Sequence, residues 1–259
     1  MMSSKFRTAN FNHLARFNSD KSNHLINILE GQIVNDIREE SARPRSCTIA
    51  PSAIRCQRKS WFRLRGVKPD TVPDPDLVLN HTAEVGTFLH KYIQGVLIKA
   101  LGPDWIDVKD YLKEHPIPYS YEVEQSGYET LISIQDPPIK FACDGIIRID
   151  NKCCLFEIKS SDYKSWDDLC GIKPHHMDQI NTYSTILDID TVIALYVDRL
   201  YGNFKAYEYQ VPLAVMTSTR DTIKTIQESA KSNLAPPKIL DNTYKCKNCE
   251  YQLKCKEWG

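Results

Sequence analysis

The residues best suited to chemistry lie between Phe141 and Ser160, FACDGIIRIDNKCCLFEIKS, where Asp144 is followed by Glu157 and Lys159. The run from Ile139 to Asp150 is β-branched and apolar, Asp150-Asn151 supplies a turn, and Cys153 to Lys159 resumes the strand pattern, which predicts a hairpin. Side chains two apart on a strand share a face, so Glu157 and Lys159 point one way while Phe156 and Ile158 point the other. A register that brings Asp144 to that face gathers two carboxylates and an ammonium. Two carboxylates about 4 Å apart repel by roughly 4 kcal/mol at an effective dielectric near 20, so they want a cation between them. Oxygen ligands suit a hard divalent ion, Mg²⁺ or Mn²⁺.

The elements that must position these groups come from a chain of 259 residues, one large domain or a core with appendages, whose 42% hydrophobic content is enough for a real core. The formal net charge is zero, so nucleic-acid binding would need a local patch. No apolar run approaches the roughly 18 residues of a membrane span, and the start, MMSSKFRTANFNH, lacks the apolar segment of a signal peptide; a cytoplasmic protein without membrane association is expected. Nine cysteines, an odd number that includes the adjacent Cys153-Cys154, argue against a disulfide framework and for metal ligation or buried thiols.

Residues 1 to 22 are polar, after which Leu25, Ile28, Leu29 and Ile33 recur at helical spacing, predicting a partly helical N-terminal arm over residues 1–45. From Arg43 to Pro69 there is no acid, whereas Arg55, Arg58, Lys59, Arg63, Arg65 and Lys68 are interleaved with Trp61 and Phe62. Cations neutralise phosphates and aromatic rings stack on unpaired bases, so this segment is a candidate surface for single-stranded nucleic acid; a solvated basic helix is the plain alternative. After the Pro-rich stretch 70–79, Thr82 to Leu101 reads as a helix with Val85, Phe88, Leu89, Tyr92, Ile93 and Val96 on its apolar side. It carries His90, and a lone histidine on a helix is more often structural than a ligand.

Short stretches at Tyr119 to Val123 and Glu129 to Ile134 read as antiparallel strands leading into the hairpin. Beyond it, a helix from Pro174 to Leu187 presents Met177, Ile180, Ser184 and Leu187 on one stripe and His176, Gln179 and Tyr183 on another. Strands at Thr191 to Val197 and Phe204 to Val211 follow, then a helix from Leu213 to Ser232. Together these predict an α/β core over residues 46–240, with a mixed central sheet flanked by helices. Residues 241–259 carry Cys246-x2-Cys249-x5-Cys255, three thiolates that can wrap one metal centre, either zinc or an iron-sulfur cluster, once a fourth ligand is supplied.

The order of these features resembles the RecB-like branch of the PD-(D/E)XK nucleases, in particular the small iron-sulfur exonucleases related to the nuclease of CRISPR spacer adaptation and to phage recombination exonucleases. The resemblance covers about residues 50 to 257 and rests on five motifs: GTFLH with His90, CDG with Asp144, Glu157-Ile158-Lys159, Gln179-Ile180-Asn181-Thr182-Tyr183, and the cysteines, with Cys56 as the upstream ligand. It implies a restriction-endonuclease-like core that cleaves DNA. His90, Asp144, Glu157 and the Ile158 carbonyl are then expected to hold Mg²⁺ or Mn²⁺, with Lys159, Gln179 and Tyr183 serving the reaction.

It also implies a 4Fe-4S cluster, rather than zinc, on Cys56, Cys246, Cys249 and Cys255, clasping an N-terminal helix to the C-terminus. An exonuclease on single strands or DNA ends, in recombination or repair in a bacterial or phage setting, is the expected role. With no phosphate-cradling Gly-x4-Gly-Lys-[Ser/Thr] loop, strand separation would need a partner such as a helicase or recombinase. The rivals are a non-catalytic DNA-binding module and a nuclease subunit active only within a larger assembly.

Overall fold

A computed structural model describes residues 20–43, 46–70, 75–127, 129–238, 244–247 and 249–258. The chain divides into two units, Met1–Pro44 with Pro73–His81, and Arg45–Val72 with Thr82–Gly259. In the first, the arm is helical as α1 (Asp20–Ala42), with Leu25, Ile28 and Leu29 exposed. Residues 1–19 and 44–45 of the expected arm lie outside the described residues. The helix expected from Thr82 begins earlier, at Leu77, where the Asp76 carboxylate accepts from Leu79 N at 2.9 Å as a cap.

In chain order the second unit holds α2 (Gln57–Leu64), the Thr82 to Leu101 part of α3 (Leu77–Leu101), β1 (Trp105–Ile106), α4 (Val108–Glu114), β2 (Tyr121–Ser126), β3 (Glu129–Ile134), β4 (Ile139–Cys143), β5 (Gly145–Ile149) and β6 (Lys152–Ser161). There follow α5 (Pro174–Leu187), β7 (Thr191–Asp198), β8 (Phe204–Gln210), α6 (Leu213–Ser232), α7 (Tyr244–Lys247) and α8 (Gln252–Glu257). Helices α5 and α6 have the bounds expected from periodicity. The short β1 and α4 lie ahead of the strands expected at Tyr119 to Val123 and Glu129 to Ile134.

The expected mixed sheet is present, with strand order β1-β5-β6-β7-β8 and one parallel pair, β6 with β7. A second, antiparallel sheet has the order β2-β3-β4. One face of β6 packs Phe156 and Ile158 against Ile93 and Leu89 of α3. Leu155, on the other face, joins the larger core with Ile180, Ile186 and Leu187 of α5 and Met216, Ile223 and Ile226 of α6. Helices therefore cover both faces of the sheet. No described helix is long and apolar enough to cross a membrane.

Two expectations are corrected. The predicted Ile139 to Asp150 strand breaks at Asp144: β4 pairs with β3 in one sheet and β5 with β6 in the other. On α3, Phe88, Tyr92 and Val96 are exposed, although they were assigned to its apolar side. Each residue advances about 100° around a helix, so positions two away from His90 point to the side opposite it. The helix is turned by its polar anchors, with His90 facing Asp144 and Gln94 donating to the Asp144 carbonyl at 2.7 Å.

Candidate active site

Asp144 sits where the chain passes from one sheet to the other, and this junction assembles the site. The last β3–β4 pair is Thr130 with Cys143, so one step further sets Glu129 beside Asp144. The first β5–β6 pair is Gly145 with Phe156, so one step back sets Glu157 beside Asp144. Neighbours directly across antiparallel strands share a face, which answers the register question the sequence left open.

Asp144 is held from three sides. Its Oδ2 accepts from Ile158 N at 2.7 Å, its Oδ1 lies 3.1 Å from His90 Nδ1, and its carbonyl takes the Gln94 amide. Within a strand a residue's N–H and C=O point to the same side, so the Ile158 carbonyl faces the edge where Asp144 lies, beyond the end of the β5 pairing. Gly86, one turn before His90, lies close to β6: a Cβ there would stand 3.4 Å from Ser160 Oγ.

Glu157 is 2% exposed. Its Oε1 accepts from Lys159 Nζ at 2.5 Å and from Gln179 Nε2 at 3.1 Å, whereas Oε2 is buried with no hydrogen-bond partner among the described residues. Gln179 ties the group together: its Oε1 accepts from Lys159 Nζ at 3.2 Å, and its Nε2 also reaches Tyr183 Oη at 2.7 Å. Tyr183 in turn stacks on Phe141, ring centroids 4.7 Å apart.

Electrostatics follow from burial. Desolvation pushes the Glu157 carboxyl up, with Asp144 adding to it and the Lys159 charge opposing. Burial pulls the Lys159 ammonium down, but the Glu157 and Asp144 carboxylates outweigh that and raise it. His90 is likewise raised, because its bond to Asp144 and that carboxylate's charge overcome burial. The result is a buried site of negative groups in which two oxygens, Glu157 Oε2 and Oε1 of the Gln94 amide, have no hydrogen-bond partner among the described residues. Such a donor set fits a hard divalent cation.

Two functional groups escaped the sequence reading. Glu129 supplies a ligand atom that lies with those of His90 and Asp144 within 4.8 Å of one another; Glu157 is not in that set. Gln94 follows His90 by one helical turn, and that i, i+4 spacing was the available signal.

The cysteine motif folds back onto α2. Burial pushes the Cys56 thiol up and the nearby Cys249, Cys246 and Cys255 sulfurs add to it, so the four thiols form one neighbourhood. Cys249 N donates to the Cys246 carbonyl at 3.2 Å, and Cys249 and Cys255 pack beside Trp61, Phe62 and Tyr251. Four sulfur donors suit zinc or an iron-sulfur cluster equally.

The basic segment is mostly turned inward. Trp61, 1% exposed, donates from Nε1 to the Ser229 carbonyl at 3.0 Å and meets Trp258 edge-on at 5.1 Å. Arg58 is buried, with Nε donating to the Pro236 carbonyl at 2.7 Å and an Nη to that of Cys255 at 3.3 Å. Lys59 and Arg63 share Glu250, at 3.3 and 3.0 Å. These contacts replace the expected base stacking by Trp61 and phosphate contact by Arg58. Arg55, Arg65 and Lys68 remain exposed.

No protein-family model and no curated protein matches the chain. The solved structures it is similar to include the following two. One is that of SSO0001, at 19% identity and a TM-score of 0.46, covering 88% of this chain and 96% of that one. The other is an alkaline exonuclease (LHK-Exo) from Laribacter hongkongensis, at 14% identity and a TM-score of 0.47, covering 75% and 93%. At that identity and overlap neither assigns an activity to this chain, whose chemistry is carried by the site.

Proposed function

We propose that this chain is a divalent-cation-dependent DNA nuclease with a PD-(D/E)XK core, acting as an exonuclease on single strands or DNA ends. The observation that carries this reading is the contact set at the sheet junction: Asp144 facing His90 and bonded to Ile158 N, and Glu157 sharing Lys159 and Gln179. His90, Asp144, Glu157 and the Ile158 carbonyl would hold Mg²⁺ or Mn²⁺, and the unpartnered Glu157 Oε2 supports this. When bound, the cation offsets charge on the phosphoryl oxygens and acidifies a water beside the scissile bond.

The protein's own groups do the rest. Lys159 keeps its proton, since its carboxylate neighbours raise it, so it serves as a fixed positive charge that orients the attacking water and balances phosphate. Gln179 holds Lys159 and Glu157 at their spacing, and Tyr183 holds Gln179. Cys56, Cys246, Cys249 and Cys255 would carry a 4Fe-4S cluster or zinc, fastening the C-terminal segment to α2, a structural role consistent with the Arg58 bond to the Cys255 carbonyl. The cations of the basic segment open to a DNA backbone include Arg55, Arg65 and Lys68, and Lys59, Arg63 and Lys140 line a cleft of about 650 Å³ shared with Glu250.

The reading is tested with end-labelled single- and double-stranded DNA in the presence of Mn²⁺ or of a chelator. Cleavage that needs Mn²⁺ and shortens the labelled strand from an end supports it. Binding without cleavage supports a DNA-binding module instead.

A further inference from the structure

With Trp61 and Arg58 spent inside the fold, a single strand that reaches Lys159 needs other cations to hold it, and two stand at the end of β6. Ser160 and Ser161, the residues after Lys159, point to opposite faces of the sheet. On the face that carries Lys159, the Lys173 ammonium donates to Ser161 Oγ at 3.0 Å and to Ser165 Oγ at 3.1 Å. On the face covered by α3, Arg199 Nη1 lies 3.5 Å from Ser160 Oγ. Both cations are partly buried, and neither forms an ion pair with a carboxylate among the described residues. The nearby Asp162 carboxylate is taken up by Lys164 N, Ser165 N and Ser165 Oγ, at 2.9 to 3.1 Å.

We propose that Lys173 and Arg199 grip a single strand from the two sides of β6, each taking the phosphate of a nucleotide next to the one held at Lys159. An ammonium has three N–H groups, and Lys173 gives two of them to hydroxyls, which orient it and leave its charge without a counter-charge. The Arg199 fork is likewise suited to phosphate oxygens. Its place is fixed, because Arg199 N donates to the Ser161 carbonyl at 3.0 Å and the Asp198 carboxylate accepts from Leu200 N at 2.9 Å, tying the β7–β8 turn to the end of β6. Two residues along a strand advance about 6.6 Å, so Lys173, anchored at Ser161, stands about one nucleotide step beyond Lys159. Contacts of this kind position the strand and select no base.

The inference rests on the nuclease reading for the path of the strand, but its test reads binding and not cleavage. Affinity for fluorescein-labelled single-stranded DNA is measured by anisotropy over a range of salt, in a Lys159→Met parent and with Lys173→Met or Arg199→Met added. Each added substitution is expected to weaken binding alike for thymine-only and mixed sequences, and to make the log-log salt slope shallower by about 0.7. One phosphate made neutral as a methylphosphonate, moved along the strand, should weaken the parent at two positions. Lys173→Met should silence one of these and Arg199→Met the other. Lys173→Arg keeps the charge, is expected to restore the slope, and guards against a variant lost through misfolding. Variants folded by circular dichroism that keep the parent's affinity and slope overturn the proposal even if wild type cuts DNA, as does a parent with no affinity for single strands. The paired losses support it even if wild type cuts none.

Discussion

Lys159 Nζ lies 2.5 Å from Glu157 Oε1, two residues apart on one strand face, with Glu157 buried and Lys159 partly so. A pair so placed loses solvent on both sides and needs a third group to fix its geometry. Gln179 is that group, touching each partner through a different atom of its amide. Gln179→Ala is expected to lower cleavage by about 10 to 100-fold while leaving the fold intact, as for groups that orient metal ligands. A rate equal to wild type would remove Gln179 from the account.

Trp61 is core. Its ring, carried by α2, meets Phe62 and Trp258 edge-on, and its N–H donates to the Ser229 carbonyl of α6. Trp61→Ala is expected to cost about 3 to 5 kcal/mol in unfolding free energy by denaturant titration. DNA affinity per folded molecule should stay unchanged; a loss of affinity without a loss of stability would restore the stacking role.

His176 makes a pH-dependent contribution. Burial, with the positive charges of Lys159, His175 and Lys173, holds its imidazole down at about 3, against an ordinary 6.5. The folded state thus keeps it neutral, 2.7 Å from Tyr196 Oη, while the unfolded chain takes up a proton below about 6.5. Because the unfolded state binds more protons in this window, the contribution is complete above the unfolded value and is lost as pH falls toward the folded one. Melting temperature should fall on acidification, and His176→Gln should make that fall shallower between about pH 6.5 and pH 4. Parallel curves for the two proteins would contradict this.

The cysteine neighbourhood makes a chemical prediction. Protein purified without oxygen should be brown with about four irons per chain if the centre is a cluster, and colourless with one zinc if it is not. Cys255→Ser should lower the metal content in either case and loosen the C-terminal segment from α2, read as faster proteolysis after Pro236. Full metal retention in Cys255→Ser would refute the four-ligand assignment.

What could be read in the sequence was local. The hairpin turn was legible because Asp150 and Asn151 tolerate the left-handed backbone they adopt, with φ of 49° and 61°. Helix α5 was legible from Pro174 at its start, and its end is set by Asp188 in a left-handed cap. The break at Asp144 was not, because an apolar alternation running through two sheets looks the same as one strand. The fate of the basic segment was hidden as well: its counter-charge is Glu250, 187 residues beyond Arg63. Glu129 was read only as the first residue of a strand, because nothing local marks an acid whose neighbour, Asp144, lies between β4 and β5.

The central claim is that Asp144 and Glu157, beside Lys159, hold the cation that cuts DNA. Single-turnover cleavage of end-labelled single-stranded DNA at saturating Mn²⁺, comparing wild type with folded Asp144→Asn and Lys159→Met, tests it most directly. Wild type should cut, and each variant should be slower by at least about 10²-fold, the scale of losing a preorganised electrostatic group. Folded variants that cut at the wild-type rate would contradict the account.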